Sequence, residues 1–360
     1  MKKVALLTKY GNQAASTRQR FLQYRSYFEA VGFEFEEQPL LDNAYLDQLY
    51  EGGVRDIRHV ASRYFDRISW LIWRCDADVI WLHCELLPYL PGILERLARI
   101  PRRPIVFDFD DAIFHNYDLH PRGVVRSLLG KKLQTTIGAA ELVLAGNAYL
   151  ADYARLNCKC VEIVPTVVDT HQYMPSNAIR PSGSPRIGWI GTPSTWAEYM
   201  LPMLPMLSAI SAEWGARVAA VGASGEEQPG IDIIPWSEET EVSLIQDMDI
   251  GLMPLTDTPW ARGKCGYKLI QYMACGLPVV ASPVGVNRDI VEHGVNGFLA
   301  ETPDEWRQAV ETLICNPELR QQMGQEGRKK VEQLYSLQVY GPLVASLLSD
   351  IAARAELRTA

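Results

Sequence analysis

The sequence predicts an α/β protein with two domains, each built on a parallel sheet. Short apolar runs alternate with helical patterns, which is typical of parallel strands covered by helices. The alternation occurs twice, on either side of a polar stretch with prolines and serines at residues 175–185. A chain of 360 residues also exceeds what one ordinary core accommodates. We place the first domain at residues 1–170, the second at 171–337, and a C-terminal helix at 338–360.

The first half of the chain contains four apolar runs with the length of buried strands. A helix is expected at residues 17–31, where Gly32 ends it, and a second helix at residues 91–99. The predicted strands are residues 4–7, 79–83, 105–109 and 141–145.

The second half repeats the pattern and ends in a tail. Six strands are predicted at residues 186–190, 218–221, 231–234, 250–253, 278–281 and 297–299. Helices are predicted at residues 199–213, 239–247, 267–275, 304–315 and 318–335. The pair Gly341-Pro342 predicts a helix break, after which the tail forms a separate helix. Because ligands of parallel α/β folds bind outside the carboxyl ends of the strands, we expect a site in a crevice that the two sheets share.

Composition excludes disorder and argues against a nucleic-acid binder. The chain is 48% hydrophobic and 22% charged, which is typical of a globular protein. Residues 1–180 carry 22 Lys and Arg against 21 Asp and Glu, and the remainder carries 13 against 22. An acidic second half lacks the basic footprint that nucleic-acid binding requires.

The cysteines and the N-terminus predict a reduced, cytoplasmic protein. The seven cysteines show no paired metal-ligand spacing. Cys158 and Cys160 form an isolated C-x-C, which favours a structural role over zinc. The apolar run at residues 4–7 is too short for a signal peptide, and no stretch reaches the ~20 apolar residues of a membrane span.

The most informative segment covers residues 263–300. It begins GKCGYK, a glycine-containing loop before a predicted helix, and Lys264, Lys268 and Gln271 share one face of a helical wheel. Glycines and lysines at a helix start suit a diphosphate, and Gln271 can accept hydrogen bonds from ribose hydroxyls. The alternative is a half-solvated helix whose lysines bind no ligand.

Motifs in this segment resemble a known enzyme family. YMACGLPVVAS and PVGVNRDIVEHGVNGFL resemble the C-terminal signature of the glycosyltransferases of family 4. VPTVVDTHQY, DIGLMPL and RKKVEQLYS are similar to further segments of that family. The resemblance implies the GT-B fold, in which two Rossmann-like domains face each other across a cleft and a C-terminal helix crosses back to the first domain. It also implies a nucleotide-sugar donor, a retaining mechanism and no metal requirement.

The chain departs from the family at two glutamates. The family usually carries an E-x7-E pair, and the resemblance places those positions at Gly263 and Gln271. Without a carboxylate, Gln271 binds ribose hydroxyls more weakly, because charge-assisted hydrogen bonds are about twice as strong. The contact to the donor sugar then falls to Lys264 or Asp257.

A second departure follows the first strand of the second domain. The family tends to place an Arg and a Lys there on the pyrophosphate, whereas this chain has Thr192, Ser194 and Thr195. Their hydroxyl and N–H groups suit a phosphate, or they serve only as a helix N-cap. Lys268 then becomes the main cationic contact, with Arg262 behind it.

Asp108, Asp110 and Asp111 follow an apolar strand, and carboxylates so close together require a positive partner. One interpretation is a D-x-D site for Mg²⁺. In the second, the resemblance places the family's active-site histidine at Asp110, which implies a metal-free catalytic role near the reacting carbon of the sugar. In the third, Asp111 caps a turn and Asp108 pairs with an arginine. We favour the second.

Two basic features of the first domain remain. Gly11 and Arg18 lie after the first strand, where the resemblance implies donor phosphates or the acceptor; a solvated helix start is the alternative. Residues 119–140 contain four cations and no acid, with apolar residues interleaved, which suits either an anionic membrane bearing a lipid-linked acceptor or an ordinary surface helix. The cations are Arg122, Arg126, Lys131 and Lys132, and the apolar residues are Val124, Val125, Leu128 and Leu129.

The resemblance implies a retaining glycosyltransferase, as in polysaccharide biosynthesis, and we expect it in the cytoplasm or peripherally at the inner membrane face. Its expected donor is a UDP- or GDP-sugar, and its acceptor a hydroxyl of a glycan, lipid-linked or small molecule. The missing glutamates leave open a catalytically silent nucleotide- or glycan-binding subunit, and a GT-B sugar-nucleotide epimerase is a further alternative. Asp110 and Lys268 are the predicted catalytic residues. Donor contacts are predicted at Gly11, Arg18, Thr192, Ser194, Arg262, Gly263, Lys264, Lys268, Gln271 and Asn287.

Overall fold

A computed structural model describes residues 1–50, 56–176, 184–225 and 229–359. The chain divides into two compact units. The first comprises Met1–Thr166, Gly263–Cys265 and Tyr340–Ala360, and the second comprises Val167–Arg262 and Gly266–Val339. Most of the predicted linker, at residues 177–183, lies outside the described residues.

The first unit contains a six-stranded sheet in which every neighbouring pair is parallel. The strand order is β2-β1-β3-β4-β5-β6. In register, His83 pairs with Asp108 and Phe109 with Ala145, so the carboxyl ends of β3, β4 and β5 meet at one edge. The strands are β1 (Lys2–Tyr10), β2 (Phe33–Leu41), β3 (Val79–His83), β4 (Ile105–Phe109), β5 (Leu142–Ala145) and β6 (Val161–Ile163).

The helices of the first unit differ from the prediction in two places. The helix expected at residues 17–31 is broken, because Phe21 leaves the helical region with φ −132° and packs its ring on Trp81. The sequence reading also missed Ile57–Trp73, whose first turn Asp56 caps. The helical segments are Ala15–Arg20, Leu22–Tyr24, Arg25–Ala30, Asn43–Tyr50, Ile57–Trp73, Gly92–Arg99, His115–Asp118, Gly123–Leu129, Lys132–Ile137 and Ala148–Arg155.

The second unit contains another six-stranded parallel sheet, with the order β12-β11-β10-β7-β8-β9. All six of its strands were predicted, to within one residue at each end. They are β7 (Arg186–Ile190), β8 (Arg217–Val221), β9 (Ile231–Ile234), β10 (Ile250–Met253), β11 (Val279–Ala281) and β12 (Gly297–Leu299). The helical segments of this unit are Pro193–Thr195, Trp196–Met200, Leu201–Met203, Leu204–Trp214, Glu238–Gln246, Pro259–Arg262, Tyr267–Ala274, Asn287–Ile290, Pro303–Cys315 and Pro317–Leu334.

The predicted break at Gly341-Pro342 is wrong, because one helix runs through it from Leu337 to Thr359. Proline removes a single hydrogen bond here, close to the helix start. Downstream residues Val344, Leu348 and Ile351 are buried and hold the helix in place. From Tyr340 onward the helix belongs to the first unit, as the family resemblance implied. Within the described residues, no helix combines the length and apolar character needed to cross a bilayer.

Candidate functional site

A buried ion pair lies at the carboxyl edge of the first sheet. Arg20 donates from Nε to Asp108 Oδ1 at 2.8 Å, and both side chains are 1% exposed. Arg20 also donates to the carbonyl of Val164, and the Trp81 indole donates to Asp108 Oδ2. Burial opposes the charge of Arg20, but Asp108 and Asp110 raise its pKa overall. The third interpretation of the aspartate cluster required an arginine partner for Asp108. That partner is Arg20.

Asp110 occupies a different environment from Asp108. Its Oδ1 lies 3.4 Å from His83 Nε2, and its side chain remains 19% exposed. Burial opposes ionisation, but the hydrogen bond and the charge of His83 lower the pKa of Asp110 overall. His83 ends a predicted strand beside the strand that precedes Asp110, so the neighbouring strand ends were the signal that could have identified it.

Asp111 is the least stabilised carboxylate of the cluster. Burial and the adjacent Asp110 raise its pKa to about 7, while Lys264 and His83 act in the opposite direction. Asp111 therefore titrates near neutrality, which suits a group that donates or accepts a proton.

The loop Gly263–Cys265 belongs to the first unit, whereas the sequence placed it in the second domain. Asn147 Nδ2 donates to the carbonyls of Gly263 (2.9 Å) and Lys264 (3.1 Å). A Cβ at Gly263 would lie 2.4 Å from that of Ala112, so only glycine fits. Lys264 does not share a helix face with Lys268 and Gln271 as the helical wheel predicted, because it lies in the loop before the helix Tyr267–Ala274.

Gly11 and Arg18 shape the loop after β1. A Cβ at Gly11 would lie 2.3 Å from Asn43 Oδ1, so a larger residue would require the Asn43 side chain to move. Arg18 Nη1 donates to the carbonyls of Asn12 at 2.9 Å and Gln13 at 2.6 Å. Arg18 therefore has a structural function independent of any phosphate.

The basic segment at residues 119–140 divides into a surface part and a buried part. Lys132, predicted to face an anionic surface, is instead buried between Glu85 and Glu95 at 3.1 and 3.0 Å. On the surface, the helix Gly123–Leu129 exposes Val124 by 71% and Leu128 by 67%. The side chains of Arg122, Arg126 and Lys131 are exposed there as well.

In the second unit, Lys268 lies in the first turn of the helix Tyr267–Ala274. Its Nζ lies 4.3 Å from the ring centre of Trp189, a cation–π geometry. A Cβ at Gly191 would come within 2.6 Å of this ammonium and 2.5 Å of the indole. A Cβ at Gly222 would lie 2.2 Å from the carbonyl oxygen of Gly191. Gly191 thus leaves space for the Lys268 ammonium, and Gly222 leaves space for the backbone of Gly191.

Thr192 and Ser194 follow Gly191 in the chain, shortly after the end of β7. Thr192 forms a capping box with Thr195, which satisfies the N-cap alternative. Its hydroxyl also lies 3.0 Å from that of Ser194, and both side chains remain exposed. The cap leaves their solvent-facing side open to a ligand.

Gln271 is buried, with 3% exposure, and its Nε2 donates to Glu241 Oε1 at 2.7 Å and to the Tyr173 hydroxyl at 3.1 Å. Tyr173 also donates to Glu241, and Trp236 Nε1 donates to Glu241 Oε2 at 2.6 Å. The carboxylate absent at position 271 is therefore present nearby on another helix. No sequence pattern distinguished Glu241 from the other acids in its helix.

Two further residues predicted to contact the donor, Asn287 and Arg262, bind other residues of the second unit. Asn287, expected to contact sugar or phosphate, is 1% exposed and donates to the carbonyl of Ser282 at 3.0 Å. Arg262 pairs bidentately with Asp257 at 2.7 and 3.0 Å, and both side chains are about half exposed. Asn287 therefore braces its loop, while Arg262 carries its own counter-ion.

A cavity of about 700 Å³ lies at the opposite edge of the second sheet. Its lining includes Asp249 and Pro278, which directly precede β10 and β11. Ligands of parallel sheets bind at the carboxyl ends of strands, so this cavity is not the expected donor site.

Comparison with known proteins identifies a related domain within the second unit. Residues 184–316 match the family described as Glycosyl transferases group 1. An uncharacterized glycosyltransferase of Methanocaldococcus jannaschii is 39% identical over 66 residues, which is 18% of this chain and 19% of that protein. The matched segment therefore spans about a fifth of the length of this curated relative.

Solved structures resemble nearly the whole chain. Sucrose-phosphate synthase from Thermosynechococcus elongatus has a TM-score of 0.72 at 12% identity, covering 98% of this chain and 100% of that one. HepE of Anabaena in complex with UDP-glucose has a TM-score of 0.70 at 16% identity, covering 97% and 100%. The fold is the GT-B fold. Together with the domain match, these likenesses support a glycosyltransferase family.

Proposed function

We propose that this protein is a retaining glycosyltransferase that moves a sugar from a nucleoside diphosphate to an acceptor hydroxyl. The observation that carries the proposal is the ammonium of Lys268, held over Trp189 beside Gly191, which lacks a side chain. All three residues lie within the segment that matches the group 1 glycosyl transferases. A cation at a helix start beside glycine loops is suited to a diphosphate.

In the proposed reaction, the bond between the anomeric carbon and the β-phosphate oxygen breaks, and the nucleoside diphosphate leaves with the electron pair. The acceptor oxygen bonds to the anomeric carbon, and its proton passes to the β-phosphate oxygen of the departing nucleoside diphosphate. Lys268 stabilises the charge that develops on the β-phosphate, a contribution that grows toward the transition state. The hydroxyls of Thr192 and Ser194 contribute to the same anion site.

Glu241 is proposed to take the place of the absent ribose-binding carboxylate. Gln271 and Tyr173 donate to its Oε1 and Trp236 donates to its Oε2, which keeps capacity for a further donor. HepE has been crystallised with UDP and with UDP-glucose, so we propose a UDP-sugar first and a GDP-sugar second.

Asp110 is proposed to act on the transferred sugar, with His83 holding its carboxylate ionised. We expect turnover to require no resident metal. A D-x-D magnesium site would need both Asp108 and Asp110, but Arg20 already neutralises Asp108 in a buried pair. Breaking that pair to bind a cation would leave the arginine charge buried without a partner.

The acceptor is proposed to be presented at an anionic membrane surface. Around the helix Gly123–Leu129, Leu119, Val124 and Leu128 are each more than half exposed beside the exposed cations Arg122, Arg126 and Lys131. Apolar side chains flanked by cations suit the interface of a bilayer that contains anionic lipid.

Thermal stabilisation by UDP-, GDP-, ADP- and dTDP-sugars tests the donor assignment, with and without EDTA. One nucleotide class should stabilise the wild type, and saturation at ~100 times Kd adds about 2.7 kcal/mol. Lys268→Ala should weaken this binding by about 10- to 100-fold, as expected for a lost charge-assisted contact of 1.5–3 kcal/mol. Lys329→Ala is the matched control and should leave nucleotide binding unchanged, because Lys329 is a surface lysine of the helix Pro317–Leu334 that pairs with Glu326.

Binding without transfer to any acceptor would favour a silent subunit, and no stabilisation by any nucleotide would refute the donor site.

Co-sedimentation with phosphatidylglycerol vesicles tests the membrane surface. Lys131→Glu and Leu128→Asp should reduce it, whereas equal sedimentation with pure phosphatidylcholine would contradict the electrostatic part.

A further inference from the structure

Three side chains of metal-binding type converge at the carboxyl edge of the first sheet. His83, Cys84 and Asp110 each offer a ligand atom, and these atoms all lie within 4.8 Å of one another. His83 is 6% exposed and Cys84 is 8% exposed, so the cluster is largely shielded from water. Their chemistry is mixed: an imidazole nitrogen, a thiol sulfur and a carboxylate oxygen.

The backbone brings these neighbours together. Successive residues of a strand normally point to opposite faces. Cys84 follows β3 directly and adopts a left-handed φ of 61°, and its N–H donates to the carbonyl of Asp108 at 2.8 Å. The turn lets the thiol approach the imidazole that precedes it.

The spacing of the long hydrogen bond between His83 and Asp110 also fits two ligands of a tetrahedral ion. His83 Nε2 and Asp110 Oδ1 are 3.4 Å apart, beyond the usual N–H···O range of about 2.7–3.2 Å. Two ligands at zinc–nitrogen and zinc–oxygen distances near 2.1 Å are separated by about 3.4 Å in a tetrahedron. A thiolate at about 2.3 Å from the same ion would lie about 3.6 Å from either.

The surrounding charges attract a cation to this point. Asp110 supplies a carboxylate oxygen to the cluster itself. Asp111 adjoins Asp110 in the chain and adds a further carboxylate. The buried cation nearby, Arg20, is already paired with Asp108.

We propose that His83, Cys84 and Asp110 form a zinc-binding site that inhibits the enzyme. Zn²⁺ bonds to the three side chains, and the Cys84 thiol releases one proton as its sulfur becomes a thiolate ligand. Three protein ligands leave a fourth position open to water. Bound zinc takes Asp110 out of the transfer reaction, so this inhibitory effect rests on the proposed function, whereas the binding does not.

Cobalt titration tests the site without any activity measurement. All titrations start from a variant with Cys160→Ser and Cys315→Ser, in which the two exposed cysteines are removed. We call this variant the parent. One equivalent of Co²⁺ should produce a thiolate-to-cobalt charge-transfer band, and Zn²⁺ should displace it. Cys84→Ser should abolish the band, and His83→Asn should weaken cobalt binding by at least about 10-fold. Cys275→Ser is the matched control, because it changes another buried cysteine, one in the second unit.

Absence of a stoichiometric band in the parent, or its persistence in Cys84→Ser, would overturn the proposal. Circular dichroism and melting in EDTA establish that each variant is folded. If Cys84→Ser does not fold, His83→Asn and Asp110→Asn carry the test, and unchanged cobalt affinity in both would refute it. Zinc should inhibit transfer by the parent but not by Cys84→Ser. A cobalt band without any transferase activity would retain the metal site and reject the proposed function.

Discussion

The carboxyl edges of the two sheets are built in opposite ways. In the first unit the charges are buried and already paired, as between Arg20 and Asp108 and around Lys132. In the second unit the cation Lys268 rests on an indole ring beside a glycine, and neighbouring hydroxyls face solvent. The two buried pairs of the first edge are satisfied within the protein, whereas Lys268 on the second edge is the cation that we propose for an external anion.

The difference indicates which property of the protein, stability or ligand affinity, depends most on each edge. A buried pair holds its geometry because separating the partners leaves an unpaired charge in a low dielectric. A half-exposed cation over an aromatic ring keeps its capacity for a charged ligand at a smaller desolvation cost. Stability should therefore depend most on the first edge, and nucleotide affinity most on the second.

The largest expected loss of stability comes from breaking the buried pair of Arg20 and Asp108. Arg20→Leu leaves Asp108 without its partner and should lower the free energy of unfolding by about 3–5 kcal/mol, measured by urea denaturation. Arg25→Leu removes a half-exposed pair with Glu37 and should cost less than about 1 kcal/mol. Equal losses in the two variants would remove the distinction between a buried and a surface pair.

The equivalent change in the second unit should be milder. Glu241→Ala leaves the donors of Gln271, Tyr173 and Trp236 without their acceptor and should cost about 2 kcal/mol in the same assay. Glu238→Ala, at an exposed position of the same helix, should cost about 0.5 kcal/mol or less. A loss above that of Arg20→Leu would reverse the proposed order of the two edges.

Asp111 makes the stability of the first unit depend on pH. Its folded-state pKa of about 7 lies above the ordinary 3.8, so the folded protein holds an extra proton between those values. The associated stabilisation is complete below about pH 4 and is lost as the pH rises through 7. The free energy of unfolding of Asp111→Asn, relative to that of the wild type, should therefore rise between pH 5 and pH 8 by on the order of 1–2 kcal/mol. A difference in unfolding free energy that stays constant with pH would contradict the raised pKa.

The smallest expected loss of stability is at Thr192. This position tests whether the hydroxyl serves as a helix N-cap or also contacts the ligand. Thr192→Ala removes the capping box and should lower stability by about 1 kcal/mol in thermal denaturation. Ser194→Ala keeps the cap and should leave the melting temperature within a degree or two. If both variants also weaken nucleotide binding, the hydroxyls contact the phosphate, and if neither does, the N-cap is their whole function.

Strands were predictable wherever local pattern and tertiary structure agree. β3, β4, β7, β9, β10 and β12 match the sequence prediction residue for residue, because each is a short apolar run with flanking loops. β2 was missed, because its sequence FEFEEQPLL carries three glutamates and gives no apolar run. The tail helix was wrongly divided, because Pro342 is tolerated near a helix start whose later turns are buried.

The sequence by itself determined the fold class and the presence of two parallel sheets, and it predicted a donor site in the segment around Lys268. These follow from periodicity and from residues adjacent in the chain. Only the tertiary structure decided which charges meet. Arg20 reaches Asp108 across 88 residues, and Glu241 reaches Gln271 across 30. Such pairs depend on the register of neighbouring strands and helices, which local sequence pattern does not encode.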